Sequence, residues 1–458
     1  MEKLNVCLLN DSFPPAIDGV ANAVTNYANI ITHELGKATV VTPYYPNADD
    51  SPYDFPIVRY PSIDVTKLVG YRAGWPFDAK LLDQLASPGF DIIHSHCPIA
   101  SSMIARSLRE EIDAPIVFTY HTKFDIDIAN AVKNKLVRAE ATNLLVENIS
   151  SADEVWVVSH GAGENLKSLG YKGDYIVMPN GVDFPKGRVS EEEVSAACAG
   201  YDLPEGVPVF LFVGRMMWYK GLRITLDALK QLDEAGIDFR MVMIGGGGDK
   251  DDVVAYAAQL GLDKKVIFVD PIHDRNVIRA WYCRADLFLF PSTFDTNGLV
   301  VREAAACALG SVLVAGSCAA EDVEDGKSGL LIEENADSMA AVLKKVCGNF
   351  DLMKQIGQGA QDNLYMSWEA SVKNAYARYE IVIDNYRHGL YPKHRTMTDE
   401  FFRQTAKALE FRAEMLSLRS ELESRRDEHH EKMIENREKM IDRIDKLITN
   451  LDRPDRFL

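Results

Sequence analysis

Short apolar runs alternate with helical spacings along the first part of the chain, a pattern that predicts parallel strands joined by crossover helices. Leu4–Asn10 reads as a buried strand, Asn22–Leu35 as an amphipathic helix and Ala38–Thr42 as a second strand. Ile57–Tyr60, Asp91–His94, Ile116–Thr119, Val155–Ser159 and Tyr175–Met178 continue the strand series, each bounded by Gly, Pro or a polar turn. The pattern restarts after Pro204-Glu205-Gly206. Val209–Val213, Arg240–Ile244, Val266–Val269, Asp286–Phe290, Ser311–Ala315 and Gly329–Ile332 read as strands, with helices at Leu222–Leu232 and Val253–Leu260. Two α/β, Rossmann-like halves account for this, covering 1–190 and 204–366 with a linker near Pro185–Leu203.

From about Thr398 the composition changes. Gly is absent and Glu, Arg and Lys become dense, while Met433, Met440, Ile444, Leu447 and Leu451 recur at spacings of three, four or seven. Residues 398–458 therefore read as a long helical extension with one apolar stripe. Packing on the body, pairing in a homodimer and peripheral membrane contact are all open uses of that stripe, although an interfacial helix usually carries a more basic polar face.

Composition narrows the functional classes. The chain has 458 residues, 47% apolar and 26% charged, as in an ordinary globular protein. No apolar run reaches the roughly 18 to 20 residues of a membrane span, and the Leu4–Leu9 run is too short for a signal peptide. Seven scattered cysteines without a CxxC pair fit a reducing cytoplasm and no metal site. The net charge of −18 argues against a nucleic-acid partner. It leaves open a location at the inner face of a membrane, where a local basic or apolar surface suffices.

Several strand-to-loop junctions could hold an anion. Asn10 to Val20 runs from the first strand into a helix, and Gly19 beside the helix start permits close backbone approach. A plain turn glycine is an equal reading. Val213-Gly214-Arg215 followed by Lys220-Gly221 places a guanidinium and an ammonium where a diphosphate could sit, or else two solvated cations. The Gly245–Gly248 run, with Gly246 inside it, suggests backbone near a ligand or a simple loop. The densest constellation runs from Phe290 to Ala305: a loop presents Asp295, a helix opens near Asn297 or Gly298, and Glu303 lies on it. Taken alone, Asp295 would read as a helix cap and Glu303 as an exposed acid.

The order of Pro14–Gly19, Pro179-Asn180-Gly181-Val182-Asp183, Val213-Gly214-Arg215…Lys220-Gly221 and Pro291…Gly298-Leu299…Glu303 resembles the retaining glycosyltransferases of family 4 over about residues 3 to 385. The resemblance implies a GT-B fold: two Rossmann-like domains with parallel sheets facing a cleft, and a return helix at about 368–390. It implies a nucleotide-sugar donor, UDP-linked by family habit, and no required cofactor or metal. Arg215 and Lys220 would take the donor diphosphate, with Gly19 approaching the same phosphate. Glu303 would bind the ribose. Asp295, with the backbone of Asn297, Gly298 and Leu299, would meet the sugar and the β-phosphate. The family's usual E-x7-E begins here with Asp295, one methylene shorter. His121 matches a family histidine beside the transferred sugar, and His121-Thr122-Lys123-Phe124-Asp125 is similar to the acceptor-side segment of diacylglycerol glucosyltransferases. The expected activity is retaining transfer of a hexose, glucose by that likeness, to an acceptor such as a membrane lipid. A soluble or polysaccharide acceptor, and a catalytically silent nucleotide-sugar-binding scaffold, are the alternatives.

Overall fold

The computed structural model describes residues 3–16, 18–66, 72–124 and 134–392, with 402, 404, 405, 408, 412, 415, 439, 440 and 443 beyond them. Asp125 and, in the C-terminal stripe, Met433, Ile444, Leu447 and Leu451 lie outside the described residues.

The first domain contains β1 (Asn5–Leu9), β2 (Lys37–Pro43), β3 (Ile57–Tyr60), β4 (Ser62–Ile63), β5 (Ala73–Gly74), β6 (Ile92–Ser95), β7 (Ile116–Tyr120), β8 (Glu154–Val157) and β9 (Ile176–Val177). Seven of these form a parallel sheet in the order β3-β2-β1-β6-β7-β8-β9, and β4 with β5 makes a small antiparallel pair. The second domain contains β10 (Val209–Val213), β11 (Arg240–Ile244), β12 (Val266–Val269), β13 (Leu287–Phe290), β14 (Ser311–Val314) and β15 (Leu330–Ile332), ordered β12-β11-β10-β13-β14-β15, all parallel. Each sheet reverses its order beside its first strand. Loops leaving adjacent strands there diverge to opposite faces, and a crevice opens at their carboxyl ends.

Helices cover both faces, so the central strands are buried throughout. Every residue of β10 is buried, and each such large apolar side chain stabilises the fold by roughly 1.5–3 kcal/mol. The first helix begins earlier than its apolar spacing suggests, at Gly19, because the Asp18 carboxylate accepts from the amides of Val20 and Ala21. It closes in a wider π-helical turn over Ile31–Leu35.

The chain crosses between domains twice, and the crossings lie side by side. The amide of Val182 donates to the carbonyl of Met366 at 3.0 Å, and Val182 bridges to Ser367. A Cβ on Gly181 would stand 2.2 Å from the Trp368 nitrogen, so only glycine lets the strands touch. The helix Trp368–Arg387 then returns across the first sheet. Its buried residues Trp368, Val372, Tyr376, Tyr379 and Ile383 make one face. The Tyr376 hydroxyl accepts from the Leu4 amide at 2.7 Å and donates to the Leu35 carbonyl. Arg378 clasps Glu154 with two nitrogens, at 2.6 and 2.9 Å.

Replacing Gly181 by alanine is expected to lower the stability of the chain by about 1–3 kcal/mol, as overpacking does. A urea titration reads this as an earlier midpoint, and an unchanged midpoint would show that the crossing gives way freely.

Candidate active site

In the second domain the crevice opens between the loops that follow β10 and β13. The first loop leaves the sheet at Gly214, passes the exposed Arg215 and tightens into a 3-10 turn at Trp218–Lys220. Gly221 ends that turn in the left-handed conformation, φ 74°, and a Cβ there would collide with the Pro291 carbonyl at 2.4 Å. Glycine thus lets the two loops meet. Among the described residues no hydrogen bond or ion pair engages the Arg215 side chain.

Lys220 behaves differently. It is 8% exposed, and its ammonium donates to Asp295 Oδ1 at 2.5 Å. The rings of Phe290, Tyr219 and Phe294 stand 5.6 to 5.8 Å from the charge. Asp295 Oδ2 accepts from the Ser292 hydroxyl at 2.6 Å. The carboxylate is therefore committed across the crevice and does not cap the following helix. That helix, Leu299–Ala306, begins after Gly298 in the left-handed conformation and has no side-chain cap. Leu299 faces the first domain: its Cδ1 is the nearest atom, at 4.0 Å, to where a Gly19 Cβ would be.

Glu303 is largely withdrawn from solvent, its side chain 13% exposed, and is not a solvated surface acid. Its carboxylate accepts from Arg275 at 2.6 Å and from the Tyr282 hydroxyl at 3.0 Å. Burial raises its pKa, and the Arg275 guanidinium opposes that rise. Arg275 also lies over the Phe184 ring and 3.7 Å from Asp183, so it links Glu303 to the interdomain crossing. The glycine run after β11 has a packing reason. A Cβ on Gly245 would lie 2.0 Å from the Gly214 carbonyl and one on Gly247 2.4 Å from that of Met216. The backbone these glycines admit is the neighbouring loop, whose Met216 amide donates to the Gly246 carbonyl at 2.6 Å.

The first domain supplies the opposite wall. His121 follows β7 and is 8% exposed; its Nε2 shares a hydrogen bond with His96 Nδ1 at 2.9 Å. Its carbonyl accepts from the Thr296 hydroxyl at 2.6 Å. Further contacts bind the same loop across the cleft: Ser159 donates to the Thr296 carbonyl, Asn297 Nδ2 to the Val158 carbonyl, and Lys123 to the Thr293 carbonyl. Since its side chain is spent on this contact, Asn297 has only its backbone left for a ligand. Glu321 completes the clasp by accepting from the amides of His160 and Gly161, the first residues of the helix His160–Ser168.

Lys220 and Asp295 thus meet across the two loops, Leu299 approaches Gly19 of the facing domain, and His121 of that domain holds the Asp295 loop through Thr296, while Arg215 lies exposed on the loop that carries Lys220. Sequence reasoning missed His96, Thr296, Arg275 and Glu321. His96 had a legible signal, since β6 and β7 are adjacent and each is followed at once by a histidine. It also missed Asp11, which accepts from the amides of Ala100 and Ser101 and so caps the helix Ala100–Ile112. Among the described residues no group of three or more His, Cys, Asp or Glu side chains is arranged to hold a metal ion. No helix among them is long and apolar enough to cross a membrane.

Two doubly wound domains facing a cleft define the GT-B class of glycosyltransferases, and the comparisons agree. The solved sucrose-phosphate synthase of Thermosynechococcus elongatus superposes with a TM-score of 0.67 at 21% identity, covering 83% of this chain and all of that one. Anabaena HepE in complex with UDP-glucose gives 0.60 at 17%, covering 84% and 99%. The family description Glycosyltransferase Family 4 matches residues 17–185, and Glycosyl transferases group 1 matches 199–363. The chain belongs to the family 4 glycosyltransferases and is a glycosyltransferase. It is similar to the alpha-monoglucosyldiacylglycerol synthases of Streptococcus pneumoniae, 23% identical over 66% of this chain and 69% of that protein, and of Acholeplasma laidlawii, 22% over 82% and 95%. D-inositol 3-phosphate glycosyltransferase of Nocardia farcinica is 27% identical over 62% of this chain and 65% of its own length.

The buried histidines make stability depend on pH. Burial pushes the His121 pKa down to about 3, and those of His94 and His96 well below the usual value. In the unfolded chain these rings titrate near 6.5, so on acidification the unfolded state takes up protons first. Their neutral burial therefore costs no stability above about pH 6.5, and stability falls as pH drops from there toward 3. Urea midpoints are expected to fall between about pH 7 and pH 5, by up to roughly 1.4 kcal/mol per pH unit for each ring. His121→Asn should flatten that slope, and an equal slope in the variant would count against the assignment.

Proposed function

We propose that the chain transfers a hexose, glucose by its likeness to the glucosyldiacylglycerol synthases, from a UDP-sugar to a membrane lipid such as diacylglycerol, with retention at the anomeric carbon. The observation that carries this reading is the second sheet's switch point, where the loop carrying the exposed Arg215 also carries Lys220, whose ammonium pairs with Asp295 ahead of the uncapped helix at Leu299.

Chemistry follows from charge. The departing diphosphate gains negative charge while the sugar approaches an oxocarbenium ion. Arg215 can grip the diphosphate as a fork. Lys220 has three donors, and Asp295 takes one, leaving others for phosphate. Amides opening the helix at Leu299, with Gly19 alongside, add partial positive charge at the same place. Glu303 would hold the ribose, exchanging Arg275 for sugar hydroxyls as the nucleotide arrives. Both oxygens of Asp295 are engaged, by Lys220 and Ser292, which favours an orienting carboxylate over a nucleophile. Front-face substitution fits this best. The bond from the anomeric carbon to the β-phosphate oxygen breaks, the acceptor oxygen bonds on the same face, and the leaving phosphate takes the acceptor's proton. No metal or further cofactor enters this scheme.

The lipid acceptor is supported by exposed apolar residues on the first domain. Leu136 is 79% and Val137 54% exposed, beside the exposed Lys135, at the start of the helix Lys135–Ser150. Such a mixture suits the inner face of a bilayer. The likeness to an inositol phosphate glycosyltransferase supports a second reading, a soluble phosphorylated acceptor.

A donor-by-acceptor screen read by mass spectrometry, with lipid acceptors in detergent, is expected to show hexose transfer to diacylglycerol. Arg215→Ala and Lys220→Ala should each lower kcat/KM by about 10²–10³-fold. Wild-type protein that binds UDP yet turns over no donor with any acceptor would make it a silent scaffold. Leu136→Glu with Val137→Glu should abolish flotation with anionic vesicles and leave UDP binding unchanged; flotation that persists would sink the membrane surface assigned here.

A further inference from the structure

The C-terminal extension meets the first domain at Phe402, a residue only 6% exposed. Its ring stands 5.9 Å from that of Phe77, just ahead of the helix Ala79–Ala86, and the Arg106 guanidinium lies 5.1 Å from its centroid. Arg106 belongs to the helix Ala100–Ile112 and is 1% exposed. A guanidinium cannot shed its charge in a protein, so burying it demands partners in place. Arg106 donates to Asn148 Oδ1 at 2.7 Å and reaches Glu147 Oε1 at 3.4 Å, both near the end of the helix Lys135–Ser150. Phe402 covers the cation with an aromatic face, an attraction that strengthens as water is excluded.

Arg106 in turn decides how Asn148 faces. Its guanidinium offers only donors, so the amide oxygen of Asn148 must turn to it. The amide nitrogen then faces the Pro98 carbonyl and donates to it at 2.8 Å. Pro98 is buried in the short connection 96–99, between β6 and the helix Ala100–Ile112. That connection opens with His96, which bonds His121, and its Cys97 carbonyl accepts from the hydroxyls of Ser95 and Ser102. Beyond it, the amides of Ala100 and Ser101 donate to Asp11, from the loop after β1. β1 and β6 are the strands between which the first sheet reverses its order. The two loops therefore frame this domain's crevice, where an open α/β sheet meets its ligand.

From this geometry we infer that Phe402 is a positioning residue for acceptor binding: docked on Arg106, it holds Asn148 and thereby the loop 96–99 at the first sheet's switch point. The inference rests on the proposed reading that the first domain receives the acceptor. With the Phe402 ring removed, water reaches the guanidinium, and hydration favours its swing away from Asn148. Asn148 then loses the donor that orients it, and the Pro98 carbonyl loses its fixed partner. The extension in this way belongs to the acceptor half, although it follows the return helix Trp368–Arg387. Its contribution is separate from the donor side, whose Lys220–Asp295 pair lies in the other domain.

The loop can be followed without any activity. Hydrogen exchange read by mass spectrometry on the full chain should show residues 94–101 exchanging about tenfold faster in Phe402→Ala than in the wild type, the scale of one desolvated cation–π contact. Residues 209–215 of the second domain should exchange unchanged. A residue that only tacks down the extension would speed exchange near 402 and spare 94–101, and that result overturns the inference. Arg106→Met should loosen residues 94–101 similarly, and Phe402→Ala added to it should change them little further. Fully additive loosening would show that the two side chains act apart, and overturns it too. Should Phe402→Ala not fold, Phe402→Leu, apolar but without the aromatic face, is expected to show the same loosening to a lesser degree; no loosening there counts equally against the inference. In the transfer assay with dioleoylglycerol in detergent, Phe402→Ala should raise KM for the lipid about tenfold and leave the Kd for UDP within about twofold. An unchanged lipid KM beside a loosened loop overturns the acceptor role. Wild-type protein that transfers to no lipid sinks the proposed reading, and the exchange data alone then decide whether Phe402 positions the loop.

Discussion

Lys220 and Asp295 bridge the point where the second sheet reverses its strand order, and the site is built around that ion pair. Both side chains are largely withdrawn from water, so their attraction is weakly screened, and neither is easily left alone. The pair ties the loop after β10 to the loop after β13. Ser292 and three aromatic rings fix what remains of its freedom. By contrast, an exposed contact such as Lys327–Glu324 contributes little to stability, because solvent and side-chain entropy offset it.

The same loop is held from the other domain. Thr293, Thr296 and Asn297 are all engaged by residues that follow β7 and β8, so the segment that would meet the sugar is a shared wall. Opening the cleft must break these hydrogen bonds and the Glu321 clasp together. The two crossings at Gly181–Val182 and Met366–Ser367 lie side by side and would bend as one unit. Arg275 joins that hinge to Glu303, and any ligand that competes for Glu303 would alter a contact to Asp183 at the crossing.

Much of this was legible in the residues. Strand positions followed from continuous apolar runs, which only a sheet covered on both faces requires. Boundaries erred where a side chain decides them. Asp18 starts the first helix before its apolar stripe begins, and the uncapped helix at Leu299 starts after a left-handed Gly298. The cap that Asp295 would make if its segment stood alone does not form, because a buried ammonium on another loop offers that carboxylate a stronger partner than an amide on its own. Likewise Glu303, an exposed acid only when its segment is taken alone, is drawn out of solvent by Arg275 and Tyr282 of another helix.

The sequence by itself determined that two doubly wound halves would form and which loops would lie at their switch points. Apolar periodicity and loop composition are local properties, and local physics reads them. Only the tertiary structure decided what each loop residue does. Gly245 and Gly247 make room for a neighbouring loop, Asn297 spends its side chain on the other domain, and His96 meets His121 because adjacent parallel strands end together. Those outcomes depend on which distant groups compete for the same proton, charge or space, and that competition exists only once the chain is folded.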